Sequence, residues 1–225
     1  MGMHFGILAV PAKLAELRAV FGDTWPNHEP GRTRSGFASQ HELWEWVEAN
    51  QKFVSSRDWR PDNPGSEVYL FYEDGPWAVM FDRGYVLCTD GGALASLSAR
   101  FGKALSIVIE TTGGTASFEY YEKGASRRSV HYVDGDMRTD GGRLPEERGL
   151  AEDTFYMDEV EQLMQAFGLR QIDDAEVTAR IEAVELIDRK DYSRSKSRLM
   201  QEIGEQMVAA QEQEAAVAKP WWKLW

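Results

Sequence analysis

A single cysteine, Cys88, stands in 225 residues, so no disulfide can form within the chain. The four histidines, His4, His28, His41 and His131, are scattered, and none has the short spacing to another histidine or to Cys88 that a zinc site uses. No apolar run approaches the ~20 residues that span a bilayer. The opening MGMHFGILAVPAKLAEL lacks the basic head and small-residue cleavage site of a signal peptide. Excess positive charge is missing too: 25 Lys and Arg against 37 Asp and Glu leave −12. Such a field repels phosphates, which argues against nucleic acid and against stable membrane association. It attracts a basic protein, although solubility alone also accounts for an acidic surface. These absences give the expectation of a cytoplasmic chain.

What is present is strand-forming sequence, concentrated between Glu67 and Val133. Val68, Leu70 and Tyr72 alternate with Tyr69 and Phe71; Asp74-Gly75-Pro76 turns the chain into Trp77, Val79 and Phe81. Arg83-Gly84 leads to a further expected strand, Tyr85 to Thr89. Asp90 is a good N-cap for a helix over Gly91 to Phe101, with Leu94, Leu97 and Phe101 on one stripe. Leu105, Ile107 and Ile109, then Ser117 to Glu122 and Arg127 to Val133, continue as short strands joined by glycine turns. In the last of these, Val130 and Tyr132 share a face with Arg128, while Ser129 and His131 point the other way.

Outside that stretch, Met3 to Val10 reads as a first strand, and Leu14, Leu17 and Phe21 as a short helix. Asp23 to Gly36 reads as loop. Ser39 and Glu42 form a capping box for a helix running to about Phe53. The loop Arg57 to Ser66 contains a tryptophan and is expected to lie over the sheet. Helices are expected from Asp158 and over Asp174 to Asp188. Another is expected over Ser193 to Ala218, ahead of the closing WWKLW. The expected fold is α+β: a mainly antiparallel meander sheet of about six strands with helices packed on it, plus a C-terminal helical arm. Residues 1–190 form the globular domain and 191–225 the arm with its tryptophan-rich tail.

Candidate chemistry is thin. Cys88 lies among apolar strand residues and reads as a buried thiol. Gly91-Gly92, Gly113-Gly114 and Gly141-Gly142 lack the Walker lysine and the dinucleotide spacing. Carboxylates crowd the segment from Asp134 to Asp153, with Asp134, Asp136, Asp140, Glu146 and Glu147 the best candidates for a surface that meets a basic partner. A solvated face explains the same residues, and Asp134-Gly135-Asp136 lacks the later ligands of a calcium loop. Trp221, Trp222 and Trp225 are costly to leave in water. They fold back on the body, anchor a partner, or touch a membrane interface.

A partial pattern links Asp90, Ala93, Leu94, Leu97 and Ser98 (D-x-x-A-L-x-x-L-S) to Phe118, Tyr121 and Gly124 (F-x-x-Y-x-x-G), with Arg127 or Arg128 following and Leu144 to Glu147 (L-P-E-E) after that. It resembles small uncharacterised bacterial proteins associated with toxin–immunity loci, over about a third of the chain. The resemblance implies an immunity-type protein that occludes a cognate toxin, and brings no active-site residues. No catalytic residue, metal or cofactor is assigned. The expectation is therefore a non-enzymatic protein-binding module whose oligomeric state the sequence leaves open. Two alternatives stand beside it. One is an enzyme with a cleft between the 134–153 loop and the rim near Tyr121 and His131. The other is an adaptor that recruits its partner through the tryptophan tail.

Overall fold

The computed structural model describes residues 4–54, 58–172 and 175–189. The nine strands are β1 (His4–Val10), β2 (His28–Ser35), β3 (Ser66–Asp74), β4 (Trp77–Asp82), β5 (Lys103–Glu110), β6 (Thr115–Glu122), β7 (Ala125–Val133), β8 (Asp136–Gly141) and β9 (Glu182–Asp188). They form a single sheet in the order β2-β9-β3-β4-β1-β5-β6-β7-β8, and every neighbouring pair is antiparallel. The class is α+β, with more strands than the six expected. The helical arm over 191–225 and its tryptophans lie outside the described residues.

Strand alternation divides the core into two layers. Ile7, Leu70, Val79, Ile107 and Phe118 face one side, where α3 (Gln40–Asn50), α5 (Met157–Phe167) and α6 (Ala175–Thr178) cover them. Leu8, Phe71, Met80 and Val108 face the other, under α1 (Leu14–Ala19), α2 (Phe21–Thr24) and α4 (Gly91–Phe101). The central strands are therefore apolar on both faces, unlike a one-sided antiparallel sheet. Burying a Leu, Ile or Phe here stabilises the fold by roughly 1.5–3 kcal/mol each.

Local signals fix the helix ends. Ser39 Oγ accepts the Glu42 N–H (3.2 Å), and Glu42 reaches back to the Ala38 N–H (2.7 Å). Asp90 Oδ1 accepts the Gly92 and Ala93 N–H groups. The N-cap of α5 is Tyr156, whose N–H donates to Glu159 (3.0 Å), rather than Asp158. Gly168 at φ 72° ends it, in the left-handed conformation glycine tolerates best. Trp77 Nε1 donates to the Phe167 carbonyl (2.8 Å), and buried Asp74 accepts from the Arg170 backbone and guanidinium. Together these contacts lock the β3–β4 hairpin to the segment after α5.

Four expectations change. Asp23 to Gly36 contains a strand, β2, whose Pro30 and register shift suit the sheet edge it occupies. Tyr85 to Thr89 is a tight turn, gathered by Asp82, whose carboxylate accepts the N–H groups of Gly84, Leu87 and Cys88. The 134–153 segment contains β8 and a 3-10 turn at Pro145–Glu147. The helix expected over Asp174 to Asp188 is only α6 followed by β9, a strand whose Ala183 and Val184 serve opposite core layers. The Glu176–Arg180 pair does form, at 3.5 Å.

Candidate functional site

The acids expected to meet a partner differ in exposure. Asp134 and Gly135 are the two loop residues of the β7–β8 hairpin, both with positive φ. Asp136 and Asp140 lie exposed on β8, and Glu146 is half-buried. Glu147 is different: its side chain is 4% exposed and paired with Arg128, itself 7% exposed. Arg128 Nε donates to both Glu147 oxygens (3.1 Å each) and Nη2 to Oε1 (2.9 Å), while Nη1 donates to the Gly141 carbonyl. Glu147 also accepts the Leu144 N–H at 2.7 Å. It holds the 142–155 loop on the sheet and is not available as a solvated partner contact. A concavity of about 330 Å³ beside this pair is lined by Val130, Met137, Thr139 and Phe155, and its two acids and two bases pair with each other, Arg128 with Glu147 and Arg143 with Glu152. Tyr121 packs into the opposite core layer from Leu144 and Leu150, so the cleft imagined between the loop and the Tyr121 rim is split by the sheet.

The larger concavity, about 600 Å³, lies at one end of the sheet. The beginnings of β1, β2 and β3 and the ends of β4 and β9 supply His4, His28, Glu67, Asp82 and Asp188. The chain after α3 forms its outer wall with Lys52, Phe53, Val54 and Trp59. A bridge between Lys52 and Ser66 ties that wall to β3, so the tryptophan loop borders the sheet's end.

The polar groups in this cleft are organised. Tyr69 Oη donates to Glu67 Oε2 (2.9 Å), and His28 Nε2 lies 3.5 Å from Asp188 Oδ1. Two glycines make room for the acids: a Cβ on Gly65 would sit 2.8 Å from Asp188 Oδ2, and one on Gly84 3.2 Å from Glu67 Oε2. Burial pushes Asp82 up to about 6 against its three backbone N–H bonds, with Glu67 adding to the rise. Burial, then Glu67, also raises Asp188 to about 6. Burial lowers His28 to about 4 and raises Tyr69 well above its ordinary value.

Four carboxylates thus face two cations in the lining, and both cations are engaged. Lys52 Nζ donates to Asn63 (2.6 Å), and the Arg83 guanidinium lies 5.2 Å over Trp44. Glu48 and Glu67 remain exposed. So does Phe53, 93% exposed at the cleft mouth. No family model matches the chain, and neither a curated protein nor a solved structure does.

Cys88 is fully buried, and burial, with Asp82 nearby, raises its thiol well above the ordinary value, opposite to what a nucleophile needs. Among the described residues, no group of three or more His, Cys, Asp or Glu side chains is placed to hold a metal ion. None of the described helices is long and apolar enough to cross a membrane. His131 sits 3.8 Å from Glu119 on the outside of β6 and β7, far from the cleft lining. Sequence reasoning missed the cleft because five strand ends, the end of α3, the segment after it and the turn after β4 all build it. The available signals were Trp59 within a turn-rich loop and Asp82 ahead of Arg83-Gly84.

Proposed function

We propose that the chain is a protein-binding module whose acidic cleft receives a basic segment of its partner. The observation that carries this is Phe53, almost fully exposed at the mouth of a cleft with four carboxylates in its lining. Aromatic side chains beside a desolvated pocket are preferred interface anchors. Exposed Glu48 and Glu67 supply attraction that the partner's cations satisfy, and the −12 charge of the whole chain speeds their encounter. The resemblance to proteins of toxin–immunity loci makes a cognate toxin the class of partner, neutralised by occlusion.

The test is capture from the source cell with the wild-type chain and with a Phe53→Ala, Glu67→Gln variant as baits. A basic protein retained by the first and lost by the second, whose toxicity the wild-type chain suppresses, supports the proposal. Equal retention by both defeats it. Repeating the capture without residues 219–225 tests recruitment through the tryptophan tail. A second reading, an enzyme, is favoured by the two raised carboxyls and the depressed histidine in one cleft. It requires a turnover that Asp188→Asn abolishes while the fold persists.

A further inference from the structure

The two edges of the sheet differ. β2 carries Pro30 and a register shift, features that block pairing with another strand. β8 carries neither and is exposed almost throughout. Among the described residues, nothing pairs with its open side.

The hairpin geometry fixes which groups that open side presents. Asp134 and Gly135 have φ of 48° and 94°, the signature of a two-residue type I′ turn, so Val133 and Asp136 form the closing hydrogen-bonded pair. Alternation from there turns the N–H and C=O groups of Met137, Thr139 and Gly141 away from β7. We propose that β8 pairs with β8 of a second copy of this chain, antiparallel, with Thr139 opposite Thr139 on the two-fold axis.

Charge rejects the registers one step to either side, and strand length favours this one over a Met137-centred register, which would pair Arg138 with Asp136 over fewer residues of β8. With Thr139 on the axis, Arg138 of each copy lies opposite Asp140 of the other, in the closely spaced non-hydrogen-bonded positions. Met137 faces Gly141, and the outward N–H and C=O groups of the two Thr139 residues meet one another. A shift of one residue toward the N-terminus sets Arg138 against Arg138 and Asp136 against Asp140. A shift of one the other way sets Asp140 against Asp140. Both place like charges face to face. Asp140 Oδ1 already accepts the Gly141 N–H and Arg128 Nη1 donates to the Gly141 carbonyl, so the new ladder is short and centred on the Thr139 pair. The −12 charge of each copy opposes association at low salt, so the contact belongs to ionic strengths near 0.15 M, where screening acts over about 8 Å.

Sedimentation equilibrium of the full chain at 0.15 M salt, over a concentration series to the high micromolar range, tests this. A monomer–dimer equilibrium is expected. Arg138→Asp should weaken the dimer on the order of tenfold, because two attractive pairs become repulsive. The swap Arg138→Asp with Asp140→Arg should restore it. Circular dichroism melts near the wild-type midpoint confirm that each variant is folded. A monomeric wild type, or a dimer indifferent to Arg138→Asp, overturns the proposal. A variant dimer that the swap fails to rescue overturns the register. None of these outcomes depends on the cleft, so the partner-binding proposal stands or falls separately.

Discussion

Replacing Glu147 by alanine should destabilise the protein far more than replacing any solvated acid of the same loop. The guanidinium of Arg128 is 7% exposed and spends three of its contacts on Glu147. Without the carboxylate it keeps its hydrogen bond to the Gly141 carbonyl, and the Leu144 N–H loses its acceptor. Removing one partner of a buried ion pair costs about 3–5 kcal/mol, chiefly through the charge left behind. At about 2–4 °C per kcal/mol for a chain of this size, the midpoint should fall on the order of 10 °C. Urea denaturation followed by circular dichroism measures it, with Asp136→Asn as a control expected within about 0.5 kcal/mol of wild type. Arg128→Met with Glu147→Leu should recover most of the loss, because an apolar pair of similar volume needs no desolvation of charge. A cost below about 1 kcal/mol for Glu147→Ala would refute the reasoning, since that is the scale of a surface pair.

Two more predictions concern the cleft and the edge strand. His28 is lowered to about 4 by burial, so between about pH 4 and 6.5 the unfolded chain binds more protons than the folded one, and this residue's contribution to stability rises with pH. The difference in unfolding free energy between wild type and His28→Gln should grow by about 3 kcal/mol across that window in urea melts; a flat difference contradicts the shift. Asp82 and Asp188, both raised to about 6, act with the opposite sign, their contributions falling as pH rises from about 4 to 6. Gly141→Ala should cost about 2–4 kcal/mol, since φ is 78° and the new Cβ would lie 1.9 Å from the Arg127 carbonyl oxygen. A melting midpoint within 2 °C of wild type would contradict that geometry.

The strands legible in the sequence are those whose environment is uniform along their length. β3 to β7 show two-residue alternation or apolar runs because each is covered on at least one face, and glycine turns separate them. Ser39 and Asp90 were legible because a cap acts within three residues. β2 and β8 were hidden for the opposite reason: HEPGRTRS and DMRTDG lie at the edges and bury little, so no apolar pattern forms. Asp134-Gly135 is a hairpin signal, set among hydrophilic residues that give the strand after it no apolar pattern. β9 was read as helix because a short apolar run fits both periods, and the vacancy between β2 and β3 decides it. Arg128 could be placed on the buried face by alternation, whereas its partner Glu147 lay in a run of acids with no period to mark it. The cleft has no local signature, since its acids are contributed by α3, β3, β4 and β9.

The most direct trial of the binding account is quantitative capture with three baits: wild type, the Phe53→Ala, Glu67→Gln cleft variant, and an Asp136→Asn, Asp140→Asn edge variant. A basic partner held by the wild type and the edge variant but released by the cleft variant is the predicted result. Retention by the cleft variant together with release by the edge variant would place binding on the wrong end of the sheet and contradict it.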